Sequence, residues 1–176
     1  MDSLQIRRAM KEQRQSLTKE QITELSNAVY NNFLSLKITA KSCFIYKDFK
    51  GEVLTAPFIE YFKSLGAKIS YPFIDGENML AVIPTNSDFT TNNFGVKEPT
   101  EYVAIDNIDV AIIPLLACDK DKNRIGFGKG YYDRFLSNHP CLKIGICYDF
   151  QVLENVPVNN WDVPLDIIIT DKRIIK

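Results

Sequence analysis

The chain has 176 residues, of which 45% are hydrophobic and 24% are charged, a composition typical of a globular protein. Its 21 lysines and arginines nearly balance its 22 aspartates and glutamates, which argues against broad nucleic-acid binding but allows a local basic pocket. No window approaches the roughly 18 apolar residues of a membrane span, and the N-terminus lacks the apolar core of a signal peptide, so we expect a cytoplasmic protein without membrane contact.

Helices and strands are predicted to alternate from the start of the chain. Residues 3–15 form a polar, basic helix. Thr18 and Gln21 make a capping box at the start of a second helix. The apolar residues of that helix recur at helical spacing, at Ile22, Leu25, Val29, Phe33 and Leu36. Residues 42–46 form a short apolar strand.

A third helix has Thr55 as its candidate N-cap, and Gly66 ends it just beyond its C-terminus. One face of this helix is lined by Phe58, Phe62 and Leu65. Strands follow at residues 67–73 and 79–84. Residues 85–100 are polar and rich in turn formers, so they predict a long loop, a feature that is usually functional or disordered in a compact domain.

The second half of the chain continues the alternation. The apolar run at residues 109–114 (DVAIIP) is typical of a buried parallel strand. A glycine-rich loop follows, then a helix over residues 130–137 and strands at residues 143–148 and 166–170. This order predicts an α/β fold with a mostly parallel sheet between helix layers. Because no repeat, linker or low-complexity tract interrupts it, we expect a single domain covering residues 1–176.

The segment with the most chemical information is RIGFGKGYYDRF, residues 124–135. Its glycines alternate at positions 126, 128 and 130, so the backbone can take left-handed conformations and approach a ligand closely. Successive N–H groups in such a loop form an anion-binding nest, and the following helix points its positive end at the bound group. Arg124 and Lys129 add full positive charges. Together these features predict a site for a triphosphate.

Taken alone, the loop leaves alternatives open. It lacks the G-x-G-x-x-G spacing of a dinucleotide site and the G-K-[ST] ending of a Walker A loop. A plain turn joining a strand to a helix fits the glycines about as well. Asp133, in the first turn of the helix, either complements the helix dipole or holds Mg²⁺ beside the phosphates.

Two other patterns resemble metal sites and fail. An EF-hand loop would need glycine at Arg124 and glutamate at Gly130, so a solvated turn is the better account of Asp119, Asp121 and Asn123. The cysteines form no C-x-x-C pair and the single histidine is His139, which disfavours zinc. We expect small buried hydrophobes in a reducing compartment at Cys43, Cys118, Cys141 and Cys147.

Residues 124–133 match throughout the signature of the 5-formyltetrahydrofolate cyclo-ligase family, roughly R-[LI]-G-x-G-[GK]-G-Y-Y-D, and the chain resembles that family along nearly its whole length. Supporting matches lie at residues 50–55 (KGEVLT), 94–99 (FGVKEP), 113–119, 156–158 and 162–166 (DVPLD). The signature loop is the specific match, and the other segments support it.

The resemblance implies a three-layer α/β sandwich of the NagB/RpiA/CoA-transferase-like type. It also implies a ligase of one-carbon metabolism that uses ATP and Mg²⁺ to convert 5-formyltetrahydrofolate to 5,10-methenyltetrahydrofolate, ADP and phosphate. ATP would phosphorylate the formyl oxygen, and N10 of the folate would then displace phosphate as the ring closes. The implied partners are small-molecule substrates, and we expect a monomer or a weak homodimer.

The resemblance further implies roles for single residues. The residues that would hold ATP are Arg7, Arg124, Gly126, Phe127, Gly128, Lys129, Gly130, Tyr131 and Tyr132. Among them, the catalytic residues would be Arg124, Lys129 and Tyr131. Mg²⁺ would be bound by Asp133 and Asp162. The folate would be contacted, through aromatic stacking and carboxylate pairing with pterin N–H groups, by Phe49, Glu52, Phe94, Glu98 and Tyr131.

Simpler explanations exist for several of these residues. Arg7 would be a surface charge and Glu52 a surface carboxylate. Phe94 would be a loop anchor, and Asp162 would belong to a turn at the entry of a strand.

The chain also departs from the family pattern at single positions. Ser3 replaces the family's lysine, Phe127 stands where some members carry arginine, and Asn159 replaces a glutamate. Two rival functions stay open. One is a sugar-phosphate isomerase on a similar fold, which needs no ATP. The other, which the departures at Ser3 and Asn159 favour, is a non-catalytic folate- or nucleotide-binding module.

Overall fold

The computed structural model describes residues 1–176 and contains four α-helices: α1 Ser3–Gln15, α2 Lys19–Ser35, α3 Ala56–Ser64 and α4 Tyr131–Asn138. The capping box that was predicted at Thr18 opens α2, and a second box, at Asp2, opens α1 without having been predicted. Gly66 has a φ of 76° just beyond α3, as its predicted role requires. None of the helices is long and apolar enough to cross a membrane.

The strands, in chain order, are β1 Ser42–Ile45, β2 Lys68–Asp75, β3 Asn78–Pro84, β4 Phe89–Thr91, β5 Lys97–Pro99, β6 Tyr102–Ile105, β7 Val110–Ile113, β8 Ala117–Cys118, β9 Arg124–Ile125, β10 Leu142–Ile146, β11 Ile167–Ile169 and β12 Ile174–Ile175. Eight of them form one sheet in the order β12-β11-β10-β7-β1-β2-β3-β6. The five central strands, from β11 to β2, run parallel. Antiparallel strands extend both edges. The predicted mostly parallel sheet is therefore confirmed.

Helices cover both faces of the sheet. Successive strand residues point to opposite sides, so one strand contributes side chains to both cores. On β1, Cys43 and Ile45 face α2 and α3, whereas Phe44 faces α4. The first core includes Phe33, Phe58 and Phe62, and the second includes Phe135 and Leu136. These three layers, helix on sheet on helix, confirm the predicted architecture.

The first helix packs beyond the carboxyl end of β7 rather than on a face of the sheet. Ile6 and Met10 of α1 contact the short β8–β9 ribbon and the residue before it, through Leu116, Ala117 and Ile125. Because the glycine-rich loop, residues 126–130, directly follows β9, this packing places α1 beside that loop.

Residues 85–100 are not a structureless loop, and that prediction was wrong. β4 and β5 pair there as an antiparallel ribbon. The Oδ1 atom of Asn92 accepts hydrogen bonds from the N–H groups of Phe94 and Val96, at 2.9 and 3.0 Å, and so closes the turn. The edge strands β6 and β12 were also missed.

Four smaller expectations need correction. Leu65 is exposed and does not line the buried face of α3. Thr55 occupies the N-cap position, but its hydroxyl donates to Asp48 at 2.8 Å instead of capping the helix. Asp119 is buried rather than solvated. Its carboxylate accepts hydrogen bonds from the N–H groups of Asp121, Asn123 and Val156. Cys141 is partly exposed, whereas the other three cysteines are buried as expected.

Candidate active site

A cleft of about 510 Å³ opens at the carboxyl ends of β1 and β7. Open α/β sheets usually bind their ligands at this edge. Tyr46 and Lys47, which follow β1, and Pro114, which follows β7, line the cleft. The structure brings every residue of the predicted site to this one cleft, namely Arg7, Phe49, Glu52, Phe94, Glu98, Arg124, Gly126, Phe127, Gly128, Lys129, Gly130, Tyr131, Tyr132, Asp133 and Asp162.

Two of the three glycines in the glycine-rich loop, but not Gly126, have the left-handed backbone conformation that the sequence allows. Gly128 and Gly130 have positive φ angles of 96° and 70°. A Cβ atom on Gly128 would lie 3.2 Å from Cζ of Arg7, so the loop can approach that arginine only without a side chain. Gly130 is the N-cap of α4 and supplies no side-chain cap. The first N–H groups of α4 therefore stay available for an anion.

Arg7 is bound to this loop and is not a plain surface charge. Its Nε donates to the carbonyl oxygen of Gly126 at 2.9 Å. One turn further along α1, Lys11 places its Nζ 5.4 Å from the centre of the Phe127 ring. Lys129, at the tip of the loop, is exposed. Cations from α1 and from the loop itself thus surround the candidate phosphate site.

Arg124 and Asp133 form an ion pair instead of standing as two free charges. Nη1 of Arg124 lies 2.9 Å from Oδ1 of Asp133 and also donates to the carbonyl oxygen of Val163 at 2.8 Å. The same Oδ1 accepts a hydrogen bond from the N–H of Val163 at 3.0 Å. Oδ2 of Asp133 accepts no hydrogen bond from the protein. The Arg124 side chain itself is buried.

Asp162 belongs to a turn and also lines the cleft. Its Oδ2 accepts a hydrogen bond from the N–H of Asn159 at 2.7 Å, and its own N–H donates to the Asn159 carbonyl at 3.1 Å. Oδ1 accepts none from the protein. Asp133 and Asp162 therefore each have one free carboxylate oxygen.

Such a pair fits Mg²⁺, which is usually bound by one or two carboxylates together with phosphate oxygens and water. No group of three or more histidine, cysteine, aspartate or glutamate side chains forms a complete metal site within the chain. A cation here would therefore need oxygen ligands from a substrate as well as from the protein.

Glu52 is a buried carboxylate, not a surface one, with only 7% of its surface exposed. Its Oε2 accepts a hydrogen bond from the N–H of Phe49 at 3.0 Å. Its Oε1 accepts none and lies 3.7 Å from Nη1 of Arg14. Burial raises the pKa of Glu52 to about 7, and the Arg14 charge opposes part of that rise.

Two tyrosines lie close to this carboxylate. Burial raises the pKa of Tyr46 and Tyr132 well above the usual value, and the charge of Glu52 raises it further. Both side chains therefore stay neutral near pH 7. The ring of Tyr132 also contacts Phe44 in the core, with 6.2 Å between ring centres, so Tyr132 lines the inner part of the cleft.

The β4–β5 ribbon supplies a second buried carboxylate. Oε1 of Glu98 accepts hydrogen bonds from the N–H of Ile74 at 2.8 Å and from Nδ2 of Asn92 at 2.9 Å. Its Oε2 accepts none from the protein. Glu52 and Glu98 thus both present an oxygen that can accept a hydrogen bond from a ligand.

Aromatic rings form part of the cleft wall. The half-exposed ring of Phe94 meets Tyr131 edge to face, with 6.1 Å between centres. The hydroxyl of Tyr131 donates to the carbonyl of Gly76 at 3.1 Å. Gly95 packs so closely on Phe49 that a Cβ atom would lie 3.0 Å from that ring. Phe94 is therefore part of the cleft wall and not only a loop anchor.

Sequence reasoning missed Lys47 and Trp161, which also line the cleft. Nζ of Lys47 lies 3.5 Å from the centre of the Phe89 ring. The pKa of Lys47 is lowered, mainly by burial and to a smaller extent by the charges of neighbouring lysines. Its position directly after a buried parallel strand was the available signal. Trp161, the only tryptophan in the chain, is 70% exposed and precedes Asp162. Ser3, where the family has lysine, lines the cleft as well.

Comparison with known proteins shows the family to which the chain is similar. The sequence model of the 5-formyltetrahydrofolate cyclo-ligase family matches residues 2–171. The chain is 34% identical over 178 residues to the 5-formyltetrahydrofolate cyclo-ligase of Mycoplasma pneumoniae, and the alignment covers 98% of this chain and 100% of that protein. The 5,10-methenyltetrahydrofolate synthetase of Aquifex aeolicus superposes with a TM-score of 0.83 at 30% identity, over 99% of this chain and 92% of that chain. The 5,10-methenyltetrahydrofolate synthetase of Mycoplasma pneumoniae superposes with a TM-score of 0.80 at 29% identity, over 97% of this chain and 99% of that chain.

Proposed function

The chain belongs to the 5-formyltetrahydrofolate cyclo-ligase family, and from that premise we propose how its cleft performs the reaction. The protein is an ATP-dependent ligase that closes 5-formyltetrahydrofolate to 5,10-methenyltetrahydrofolate and releases ADP and phosphate. The observation that carries the assignment is one cleft that joins a glycine-rich loop and its cations to two buried carboxylates and aromatic rings. A sugar-phosphate isomerase would have no use for the second half of this site.

The triphosphate of ATP lies along the glycine-rich loop. N–H groups of residues 126–130 and of the first turn of α4 donate hydrogen bonds to phosphate oxygens. Arg7 and Lys129 neutralise phosphate charge, Arg7 from the position that its bond to Gly126 fixes. Lys129 is free to follow the phosphate that is transferred, because it is exposed at the loop tip.

Mg²⁺, when bound with ATP, supplies charge neutralisation and orientation to the phosphates. Asp133 and Asp162 would hold it through the carboxylate oxygens that accept no protein hydrogen bond. Arg124 has a second role beside the one expected at the phosphates. Because its Nη1 is bonded to Asp133 and to the Val163 carbonyl, it also holds Asp133 in place.

The folate occupies the other half of the cleft. Glu52 and Glu98 accept hydrogen bonds from pterin N–H groups, through Oε1 and Oε2 respectively. The rings of Phe49, Phe94 and Tyr131 contact the flat pterin system. Tyr131 belongs to both halves, since it opens α4 behind the phosphate loop and faces Phe94 across the cleft.

The chemistry then needs no side-chain nucleophile. The formyl oxygen attacks the γ-phosphorus, and ADP leaves with the electrons of the broken P–O bond. N10 next attacks the formyl carbon and loses its proton to solvent. The C–O bond breaks, phosphate takes its electron pair, and a methenyl bridge remains between N5 and N10. The protein contributes positioning of the two substrates and charge neutralisation by Arg7 and Lys129.

An isotope experiment tests the phosphorylation step. The protein turns over 5-formyltetrahydrofolate that carries a heavy oxygen isotope in the formyl group, in ordinary water with Mg-ATP. The released phosphate should contain one heavy oxygen, because the formyl oxygen departs with it. Label that appears in water instead would contradict the proposed step.

A further inference from the structure

One side chain next to the cleft is buried although the fold does not satisfy it. Arg14, near the end of α1, is only 3% exposed. Its Nε has no hydrogen-bond partner, and its Nη1 approaches Oε1 of Glu52 no closer than 3.7 Å, which is beyond hydrogen-bond range. A buried guanidinium with unmet donors lowers stability. Buried polar groups that the fold leaves without hydrogen bonds are expected at sites where function requires them.

The backbone around Glu52 is seated directly on Arg14. Gly51 has a φ of 76°, and a Cβ atom there would lie 2.9 Å from the carbonyl oxygen of Arg14. Because Gly51 immediately precedes Glu52, this contact sets the position from which the carboxylate extends. The N–H of Phe49 then holds Oε2. Oε1 accepts no hydrogen bond from the protein and lies 3.7 Å from Nη1 of Arg14, and Glu52 lines the cleft.

We propose that Arg14 is a positioning residue: from behind the cleft it favours the charged form of the Glu52 carboxylate, which then accepts hydrogen bonds from the N–H groups of the folate. This inference rests on the proposed folate contact of Glu52. Arg14 does not line the cleft, so it acts through Glu52 and not on a substrate. The Arg14 guanidinium also lies 5.9 Å from the centre of the Phe127 ring. Arg14 is therefore next to both Glu52 and the glycine-rich loop.

The other groups that face Glu52 leave Arg14 as the main opposing charge. Asp48 approaches from the loop after β1, where it accepts two hydrogen bonds from Thr55. Neutral hydroxyls face it from the ends of β1 and β10 and from α4, at Tyr46, Tyr148 and Tyr132. Burial raises the pKa of all three tyrosines, so none of them titrates near pH 7.

The expected effect is on the pH dependence of folate binding. In the unaltered protein, affinity for 5-formyltetrahydrofolate should weaken as pH falls through about 7, where Glu52 takes up a proton. We call the pH range over which this affinity is lost the acid limb. Arg14→Met should move the acid limb up by about 1–3 pH units, the shift that an opposite charge at about 4–6 Å produces. At pH 7 the KM for folate should rise about tenfold or more, while kcat at saturating folate changes far less.

Three further variants separate positioning from a purely structural role. Arg8→Met, on the exposed face of the same helix, should keep the original limb, because the Arg8 side chain is 83% exposed and pairs only with Glu12. Arg14→Lys keeps the charge and should show an intermediate limb, which also serves if Arg14→Met does not fold. In a Glu52→Gln background, Arg14→Met should leave the pH profile unchanged.

The measurement is the folate KM and kcat of each variant from about pH 5.5 to 9. An equal loss at every pH, or the same loss in the Glu52→Gln background, would overturn the role of Arg14. A parent enzyme whose folate KM ignores both pH and Glu52→Gln would instead overturn the folate contact of Glu52. The two failures are therefore distinguishable.

Discussion

At Glu52, burial and ionisation oppose each other. The pKa of this carboxyl is about 7 in the folded protein, against an ordinary value of 4.5. Between these values the folded state keeps a proton that the unfolded chain releases. The free energy of unfolding of the ligand-free protein therefore falls by about 3 kcal/mol as pH rises through this window.

Glu52→Gln should remove this pH dependence, because the amide cannot titrate. Chemical unfolding of both proteins without ligands, at about pH 5 and about pH 8, measures the effect. Relative to the variant, the parent protein should lose about 3 kcal/mol between the two conditions. Stability curves that run parallel for the two proteins would show that the pKa of Glu52 is not raised.

Asp133 should be indispensable for turnover but not for the fold. In Asp133→Asn the amide oxygen can still accept hydrogen bonds from Arg124 and from the Val163 N–H. The charge that would hold Mg²⁺ is lost, so kcat should fall about 100-fold or more, the size typical for loss of one electrostatic contact in a transition state.

Asp106→Asn is the matched control, since Asp106 is exposed and lies outside the cleft. It should turn over like the parent protein, and both variants should give the circular dichroism of a folded chain. Normal turnover by Asp133→Asn would make its assignment as a metal ligand wrong.

At the scale of elements, the contact between α1 and the glycine-rich loop should control ATP affinity. Gly128→Ala meets two penalties: a left-handed backbone, and a Cβ atom 3.2 Å from Arg7. Gly66→Ala, at a φ of 76° with nothing within 4 Å of its Cβ, meets only the first. The left-handed backbone alone should cost each variant about 1–2 kcal/mol of stability.

Only Gly128→Ala should also weaken Mg-ATP binding, by about tenfold, because it displaces Arg7 from the phosphates. Calorimetric titration with Mg-ATP measures the difference between the two glycine variants. Equal affinity in both would remove Arg7 from the account of the phosphate site.

The elements also show how far the sequence could predict this fold. β1 and β7 were evident because a buried parallel strand reads as a continuous apolar run. The β4–β5 ribbon was not, because three-residue strands carry too little alternation to be recognised. Its turn depends on hydrogen bonds that the side chain of Asn92 accepts, a local feature that the spacing of hydrophobic residues does not indicate.

The site, like the fold, has features that the sequence predicts and features that depend on packing. The loop at residues 124–133 was visible as a motif, because its glycines, cations and aspartate are adjacent in sequence. The pairing of Arg14 with Glu52 was not, because it depends on how α1 packs against the loop after β1. The hydrogen bonds of Arg124 to Asp133 and Val163 were not visible either, since they form only when the chain folds.

For the whole molecule, the parallel sheet explains why the two substrates meet. The carboxyl ends of parallel strands share one edge, so the loops after β1 and β7 open into the same space. In the proposed site, the ATP half would come from α1, the glycine-rich loop and α4. The folate half would come from the loop after β1 and from the β4–β5 ribbon between β3 and β6. Neither half is complete on one element.

The central claim is that this one cleft couples ATP cleavage to ring closure of the folate. The direct measurement mixes purified protein, Mg-ATP and 5-formyltetrahydrofolate, and follows methenyltetrahydrofolate by absorbance together with ADP. We predict that the two products form in equal amounts, and that neither forms when one substrate is omitted. ADP produced without folate, or no methenyl product although both substrates bind, would contradict the claim.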